Sequence, residues 1–243
     1  MFPLLYHIHH NAHIEDLPFW LKLAQQQGGP VLELGCGTGR VLVPLIQAGF
    51  KVYGVDSDPQ MLAFLRKNLA NVEGGQATLV EADMANFSLP ERFPLAILPC
   101  NTFSTLDLVT RQATLANVLT HLQPRGVFAV SVPNPVMLEE LPQRSEEEVE
   151  ESFPHPITGN QVQVLSSWQR TKTQFIVTWS YDHLQPDGRI ERISGEARHW
   201  LTPAETYVYE IDAAGFEIHG IYGDFEGKEY DPEDDDLIIV CRK

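Results

Sequence analysis

Cysteine is scarce in this sequence. Cys36, Cys100 and Cys241 are the only three, widely spaced and with no C-x-x-C pair. That argues against a disulfide framework or a thiolate zinc site and fits a reducing, cytoplasmic setting. Positive charge is also scarce: 17 basic residues stand against 33 acidic ones, for a formal net charge of −16. A phosphate backbone would be repelled by such a surface, so no nucleic-acid partner is expected. Long apolar runs are missing, and no stretch approaches the roughly 18 residues that crossing a membrane takes. The first ten residues hold neither Lys nor Arg and no apolar run, unlike a signal peptide. What is present is an apolar content of 43 %, enough for a packed core.

The first half alternates short apolar runs with segments of helical period. Val31–Leu34, Val52–Val55, Thr78–Val80, Leu95–Leu98 and Val127–Val132 read as buried strands. Between the first two, Val41, Leu42, Leu45 and Ile46 recur at helical spacing before Gly49, predicting a helix from Gly39 to Gly49. Asp58-Pro59 reads as a helix cap followed by proline at the first turn, and Leu115, Val118, Leu119 and Leu122 give a further helical stripe. Such alternation predicts a parallel sheet with crossover helices.

After Pro135 the pattern changes. The glutamate run within Ser145–Ser152 reads as a solvated linker. Strand-like runs follow at Gln161–Trp168, Gln174–His183 and Arg189–Trp200, the last two separated by the turn signal Gln185-Pro186-Asp187-Gly188. Thr202-Pro203-Ala204-Glu205 reads as a capping box opening a helix that closes at Gly215, and the strands Phe216–Tyr222 and Leu237–Cys241 end the chain.

The most specific motif is the strand Val31–Leu34 running into Gly35-Cys36-Gly37-Thr38-Gly39-Arg40. Glycines here let the backbone turn sharply and approach a ligand, and a helix N-terminus behind them favours polar or negative groups. A dinucleotide loop wants G-x-G-x-x-G, yet Arg40 stands at the last position and the third glycine comes one residue early, at Gly39. Asp56, ending the second strand, can accept both hydroxyls of a ribose, while Asp58 can cap the next helix. Asp83-Met84 follows the third strand, where Asp83 either contacts a ligand or begins a turn. Asn101 leaves the fourth strand, where it can face a ligand or cap a helix.

In this order and spacing, Glu33-Leu-Gly-Cys-Gly-Thr-Gly39, Asp56 and Asp83-Met84 resemble the class I S-adenosylmethionine-dependent methyltransferases, over about residues 28–134 and more loosely over the C-terminal strand pair. The resemblance implies a Rossmann-like α/β fold, a seven-stranded mostly parallel sheet with helices on both faces, and a small antiparallel insertion after the fifth strand, as in the glycine and amino-sugar N-methyltransferases. The domains are then 1–135 with 201–243, including an N-terminal helical cap at 1–27, and an inserted lid at 136–200. S-adenosylmethionine is the implied cofactor. Glu33, Gly35, Cys36, Gly37, Gly39 and Arg40 would wrap its amino-acid portion, Asp56 and Ser57 its ribose, and Asp83 and Met84 its adenine. Asn101 would lie beside the sulfonium, and Tyr6 from the N-terminal helix would close over it.

The expected activity is methyl transfer to nitrogen or oxygen of a small-molecule acceptor, by a monomer or homodimer. Rival readings are a protein that binds the cofactor without turnover and a nicotinamide-dependent oxidoreductase. His7, His10, Tyr181, His183 and His199 are candidate bases that the sequence does not rank. Phe175, Val177, Trp179, Tyr181 and His183 share one strand face, suited either to packing or to an acceptor pocket. His7, His9, His10 and His13 cluster near the N-terminus with no carboxylate at a known ligand spacing, so no metal is expected.

Overall fold

A computed structural model describes residues 2–243, so that Met1 of the expected cap lies outside the described residues. Two helices, α1 (Phe2–Asn11) and α2 (Leu17–Gln27), precede β1 (Val31–Leu34), α3 (Leu42–Gln47), β2 (Lys51–Asp56), α4 (Pro59–Leu69), β3 (Gln76–Glu81) and β4 (Phe93–Leu98). A short 3-10 turn at Thr102–Thr105 leads to α5 (Leu108–His121), β5 (Leu122–Pro133) and α6 (Pro135–Glu140). Then come β6 (Glu148–Pro154), β7 (Gln161–Arg170), β8 (Gln174–Leu184), β9 (Ile190–Trp200), α7 (Ala204–Ala213), β10 (Glu217–Tyr222) and β11 (Asp236–Arg242).

Seven strands form one sheet in the order β10-β11-β5-β4-β1-β2-β3, with β11 antiparallel to its neighbours and the remaining pairs parallel. The period-two alternation of the strands divides the core in two. Leu32, Leu34, Ala96, Leu98, Phe128 and Val130 point to the face covered by α5 and α7. Val31, Leu95, Ile97, Val127 and Ala129 point to the face covered by α2, α3 and α4. Strands buried on both faces are what a parallel sheet with crossover helices produces. This is the Rossmann-like architecture expected, and its strand order reverses between β1 and β4, beyond whose carboxyl ends open sheets of this kind bind their ligands. No helix among the described residues is long and apolar enough to cross a membrane.

The insertion is a separate antiparallel sheet of four strands, β6-β7-β8-β9, where the sequence suggested three. The extra strand is β6, and it occupies much of the glutamate run read as a linker. β6 is an edge strand with its side chains largely exposed, and charge at such a position guards an open sheet edge while mimicking a solvated loop. Two smaller expectations also yield. The helix after the glycine loop is only Leu42–Gln47, six residues, so its dipole is modest. The capping box at Thr202 does not form: Pro203 takes the cap position, and no side chain caps the helix.

The helices α5 and α7 are joined by a buried ion pair. Arg111 Nε and Nη2 donate to the two Glu210 oxygens at 2.7 and 2.8 Å, both side chains are under 5 % exposed, and Arg111 also donates to the Leu106 carbonyl. Removing one partner strands a buried charge. Glu210→Ala is therefore expected to cost about 3–5 kcal/mol in denaturant unfolding. A loss below about 1 kcal/mol would show that the pair contributes no more than a surface bridge.

Candidate functional site

The glycine loop leaves β1 and is pinned to the end of β2. The Gly35 and Cys36 amides donate to the Val55 carbonyl at 2.8 and 3.2 Å. Gly37, at a φ of +50°, donates its amide to Asp56 Oδ2 at 2.7 Å, while Asp56 Oδ1 accepts the Asp58 amide at 2.8 Å. Asp58 itself caps α4 by accepting from Gln60 and Met61, which frees Asp56 from a capping role. Each Asp56 oxygen keeps a lone pair beyond these bonds. Gly39, at a φ of +90°, lies where a Cβ would run into Leu65 Cδ1, so α4 packs directly on the loop.

Beneath the loop sits Glu33, only 2 % exposed, with Oε2 buried and unpartnered. Burial is the main force pushing its carboxyl up to about 8. The nearby Asp56 and Asp16 charges add to that push, and Arg40 opposes it. A buried carboxylate with a vacant oxygen beside a glycine loop suits the ammonium of an amino acid, because a charge-assisted bond would satisfy it. The donor set thus fits the amino-acid end of S-adenosylmethionine.

The N-terminal helices fold over this loop. Arg40 donates to both Asp16 oxygens at 2.6 Å, to the His13 carbonyl at 2.8 Å and to Cys100 Sγ at 2.9 Å. Its guanidinium is thereby committed within the protein. Tyr6 on α1 feels the charges of Cys100, Arg40 and Asp56, and burial raises its phenol well above the ordinary tyrosine range. Asn101 and the preceding Cys100 both take a φ of +60°, a rare backbone conformation for side-chain-bearing residues. Although Asn101 stands at the start of the 3-10 turn, its side chain caps nothing. Ser57 is exposed beside Asp56, and Met84 packs partly against the core. Asp83 is exposed and accepts the Ala85 amide through Oδ1 at 2.8 Å.

The insertion meets α1 above this edge. Leu5 packs with Val162, Val164 and Tyr181. Tyr181 is fully buried, and its hydroxyl pairs with His9 Nδ1 at 3.1 Å, so it belongs to the packing of α1 on the sheet. Trp179 is only half-buried and lies edge-on to His10, with ring centres 5.3 Å apart, while His10 lies 4.0 Å from the Tyr6 ring. His10 Nε2 is buried and unpartnered. Burial, helped by the neighbouring His9, Arg40 and His13, drives that imidazole down to about 3. His199 on β9 reaches across to Ser104 Oγ at 2.8 Å, and burial pushes it down to about 4. The remaining base candidates lie apart from this group. His183 stacks on His155 at 4.3 Å beside Thr158, and His7 contacts Asn11 and the Phe64 ring. Phe175 stacks near Trp168 at 6.3 Å. The sequence pattern did not reveal the Asp16–Arg40 fork or the His199–Ser104 contact, since each joins residues far apart in the chain.

Comparison with known proteins agrees with this geometry. Residues 31–126 match the family described as methyltransferase domain. The chain is 25 % identical over 218 residues to the cypemycin N-terminal methyltransferase of Streptomyces sp, covering 89 % of this chain and 84 % of that protein. In fold it is similar to an S-adenosylmethionine-dependent methyltransferase from Clostridium acetobutylicum ATCC 824. The TM-score there is 0.81 and the identity 15 %, over 98 % of this chain and 97 % of that one. It is also similar in fold to a sugar N-methyltransferase from Streptoalloteichus sp ATCC 53650. That pair has a TM-score of 0.75 and 20 % identity, over 100 % of this chain and 93 % of the other.

The burial of Glu33 has a consequence for stability. Its proton is held more tightly in the folded chain than in the unfolded one, so stability falls as pH rises from about 4.5 to about 8. Glu33→Gln, which carries no charge to bury, should lose less melting temperature than the wild type across that window. Parallel profiles for the two proteins would mean that Glu33 ionises freely.

Proposed function

We propose that this chain, whose residues 31–126 match the methyltransferase domain family, is a class I S-adenosylmethionine-dependent methyltransferase that transfers a methyl group to the nitrogen of a small-molecule amine. The observation that supports the cofactor reading best is the conjunction at one crevice of the Gly35–Gly39 loop, the Asp56 carboxylate and the vacant Glu33 oxygen. In this reading Glu33 receives the cofactor's ammonium, and the backbone from Gly35 to Gly39, with Cys36 between, wraps its amino-acid end. Asp56 accepts the ribose hydroxyls beside Ser57, and Asp83 with Met84 borders the adenine. Arg40 acts by holding α2 against the loop, and Tyr6 closes the crevice from α1. When bound, S-adenosylmethionine supplies a methyl group activated by its sulfonium.

The chain's own residues then have three tasks: to hold the acceptor, to keep water out and to keep the acceptor's lone pair free. The surface formed by Tyr6, His10 and Trp179 has aromatic walls with polar tips, as small-molecule pockets do. The positive-φ pair Cys100-Asn101 presents the Asn101 amide at the end of β4, offering both a donor and an acceptor. His10 beside Trp179 and His199 opposite Phe175 each stay uncharged because burial desolvates them, and such desolvation also disfavours an ammonium. An amine bound here is therefore held in its neutral, nucleophilic form, with an imidazole nitrogen able to accept an N–H bond and orient it. Nitrogen is favoured over oxygen because a hydroxyl would need a stronger base than either histidine. The N-methyltransferases among the similar proteins support the same choice.

Transfer of a labelled methyl group to a panel of primary and secondary amines, amino sugars and short peptides among them, tests this reading. Asp56→Ala should weaken S-adenosylhomocysteine binding by about 1.5–3 kcal/mol, roughly 10- to 150-fold in Kd, together with a fall in melting temperature from the lost Gly37 and Asp58 amide bonds. Trp179→Ala should leave that Kd near wild type and lower kcat/KM for whichever acceptor turns over. Binding of NAD without any of S-adenosylhomocysteine would contradict the cofactor assignment. Cofactor binding without turnover of any amine, or full activity in Trp179→Ala, would contradict the acceptor assignment.

A further inference from the structure

Two histidines, one on the N-terminal helix and one just beyond its end, find a partner that the sequence order conceals. His9, His13 and Glu150 each bring a ligand atom within 4.8 Å of the other two, with His9 Nε2 and Glu150 Oε1 3.5 Å apart. We propose that these three residues form a binding site for a first-row divalent metal ion of the zinc type, bridging α1 and the edge of the inserted sheet.

Three features of the structure support a built site over a chance cluster. First, the ligand set is two imidazoles and one carboxylate, which suits zinc, cobalt or nickel better than the oxygen-seeking calcium or magnesium. Bonds of about 2.0–2.2 Å to a tetrahedral ion place ligand atoms roughly 3.4 Å from one another. The His9–Glu150 separation already meets this, and His13, exposed just beyond the end of α1, needs to move by at most about 1.4 Å.

Second, His9 is oriented from behind. Its ring is buried and its Nδ1 pairs with the Tyr181 hydroxyl at 3.1 Å. With Nδ1–H donating to that oxygen, the lone pair lies on Nε2, the atom that faces Glu150. Metal-ligating histidines are held by an outer hydrogen bond of this kind, which fixes both ring orientation and tautomer.

Third, Glu150 is aimed by the backbone. β6 pairs with β7 in register at Val149↔Leu165 and again at Glu151↔Val164, so that Glu150 is the extra residue of a β-bulge. A bulge turns one side chain out of the strand's alternation, and such bulges recur where a strand must re-aim a functional group. Here Glu150 is directed to the helix, although the regular pattern would have placed it elsewhere. An ion at this point would fasten the insertion to α1 next to Trp179 and His10, and so hold the acceptor surface closed. The proposal does not depend on the methyl-transfer reading.

The test is cobalt(II) titration of the full chain after treatment with a chelator, read by the visible absorption of the bound ion and by calorimetry with zinc. One saturable ion per chain is expected, with a rise in melting temperature that the chelator reverses. Glu150→Gln and His13→Ala, both at exposed positions, should each weaken binding at least about tenfold, the scale on which even outer partners of ligands act. Glu148→Gln, in the same acidic run but outside the cluster, should bind as the wild type does. No saturable binding at millimolar metal would overturn the proposal. Equal weakening by Glu148→Gln would also overturn it, because that pattern belongs to diffuse attraction by the acidic edge.

Discussion

Two charge-assisted hydrogen bonds of 2.6 Å join Arg40, the residue that ends the glycine loop, to Asp16, which precedes α2. Both side chains are largely buried, and Trp20 Nε1 donates to the same carboxylate at 2.8 Å. A forked pair of this kind fixes direction as well as distance, because the planar guanidinium meets the carboxylate along two parallel bonds. It sets the N-terminal segment over the loop, and the remaining contacts follow from that placement. α1 brings Tyr6 to the loop and Leu5 to the inserted sheet. Its His9 is bonded to Tyr181, and β9 of the same sheet returns to the main domain through His199 and Ser104. The crevice at the ends of β1 and β4 is thus ringed by contacts among segments remote in sequence. Losing the fork would leave the glycine loop in place but remove the cover that excludes water.

Much of the fold was legible because local signals agreed with each other. Buried strands announced themselves as apolar runs, glycines marked the loop, and Asp58-Pro59 marked a helix start. Each is a property of a few consecutive residues. The errors share a different cause. The glutamates of β6 looked like a linker because an edge strand of a small sheet buries little, and its charge serves to keep the edge unpaired. Thr202 had the sequence of a capping residue, but the helix starts one position later, with Pro203 at the cap. Tyr181 and Trp179 share one strand face, yet the depth of α1 on that face makes the first a core residue and leaves the second half-open. Alternation names a face without saying what covers it.

The candidate site divides in the same way. Glu33, the glycines, Asp56 and Asp83 could be named because they lie at or just after strand ends at set intervals. The metal-type cluster could not, because one histidine comes from α1, the other from just beyond it, and their carboxylate from β6, more than a hundred residues away. Its one advance sign was the coincidence of a histidine-rich helix and an acidic run in the same chain, which taken singly both read as solvated surface. Arg40 shows the opposite case: the motif named the residue, but its bonds to Asp16 define what it does.

The central claim is that the crevice beneath α1 binds S-adenosylmethionine at the glycine loop and an amine acceptor beside Trp179. A crystal structure of the chain with S-adenosylhomocysteine tests it most directly. The account predicts the ribose hydroxyls on Asp56, the ammonium on Glu33, and the sulfur facing a space walled by Tyr6, His10, Trp179 and Asn101. A ligand bound elsewhere, or a sulfur facing away from the inserted sheet, would contradict it.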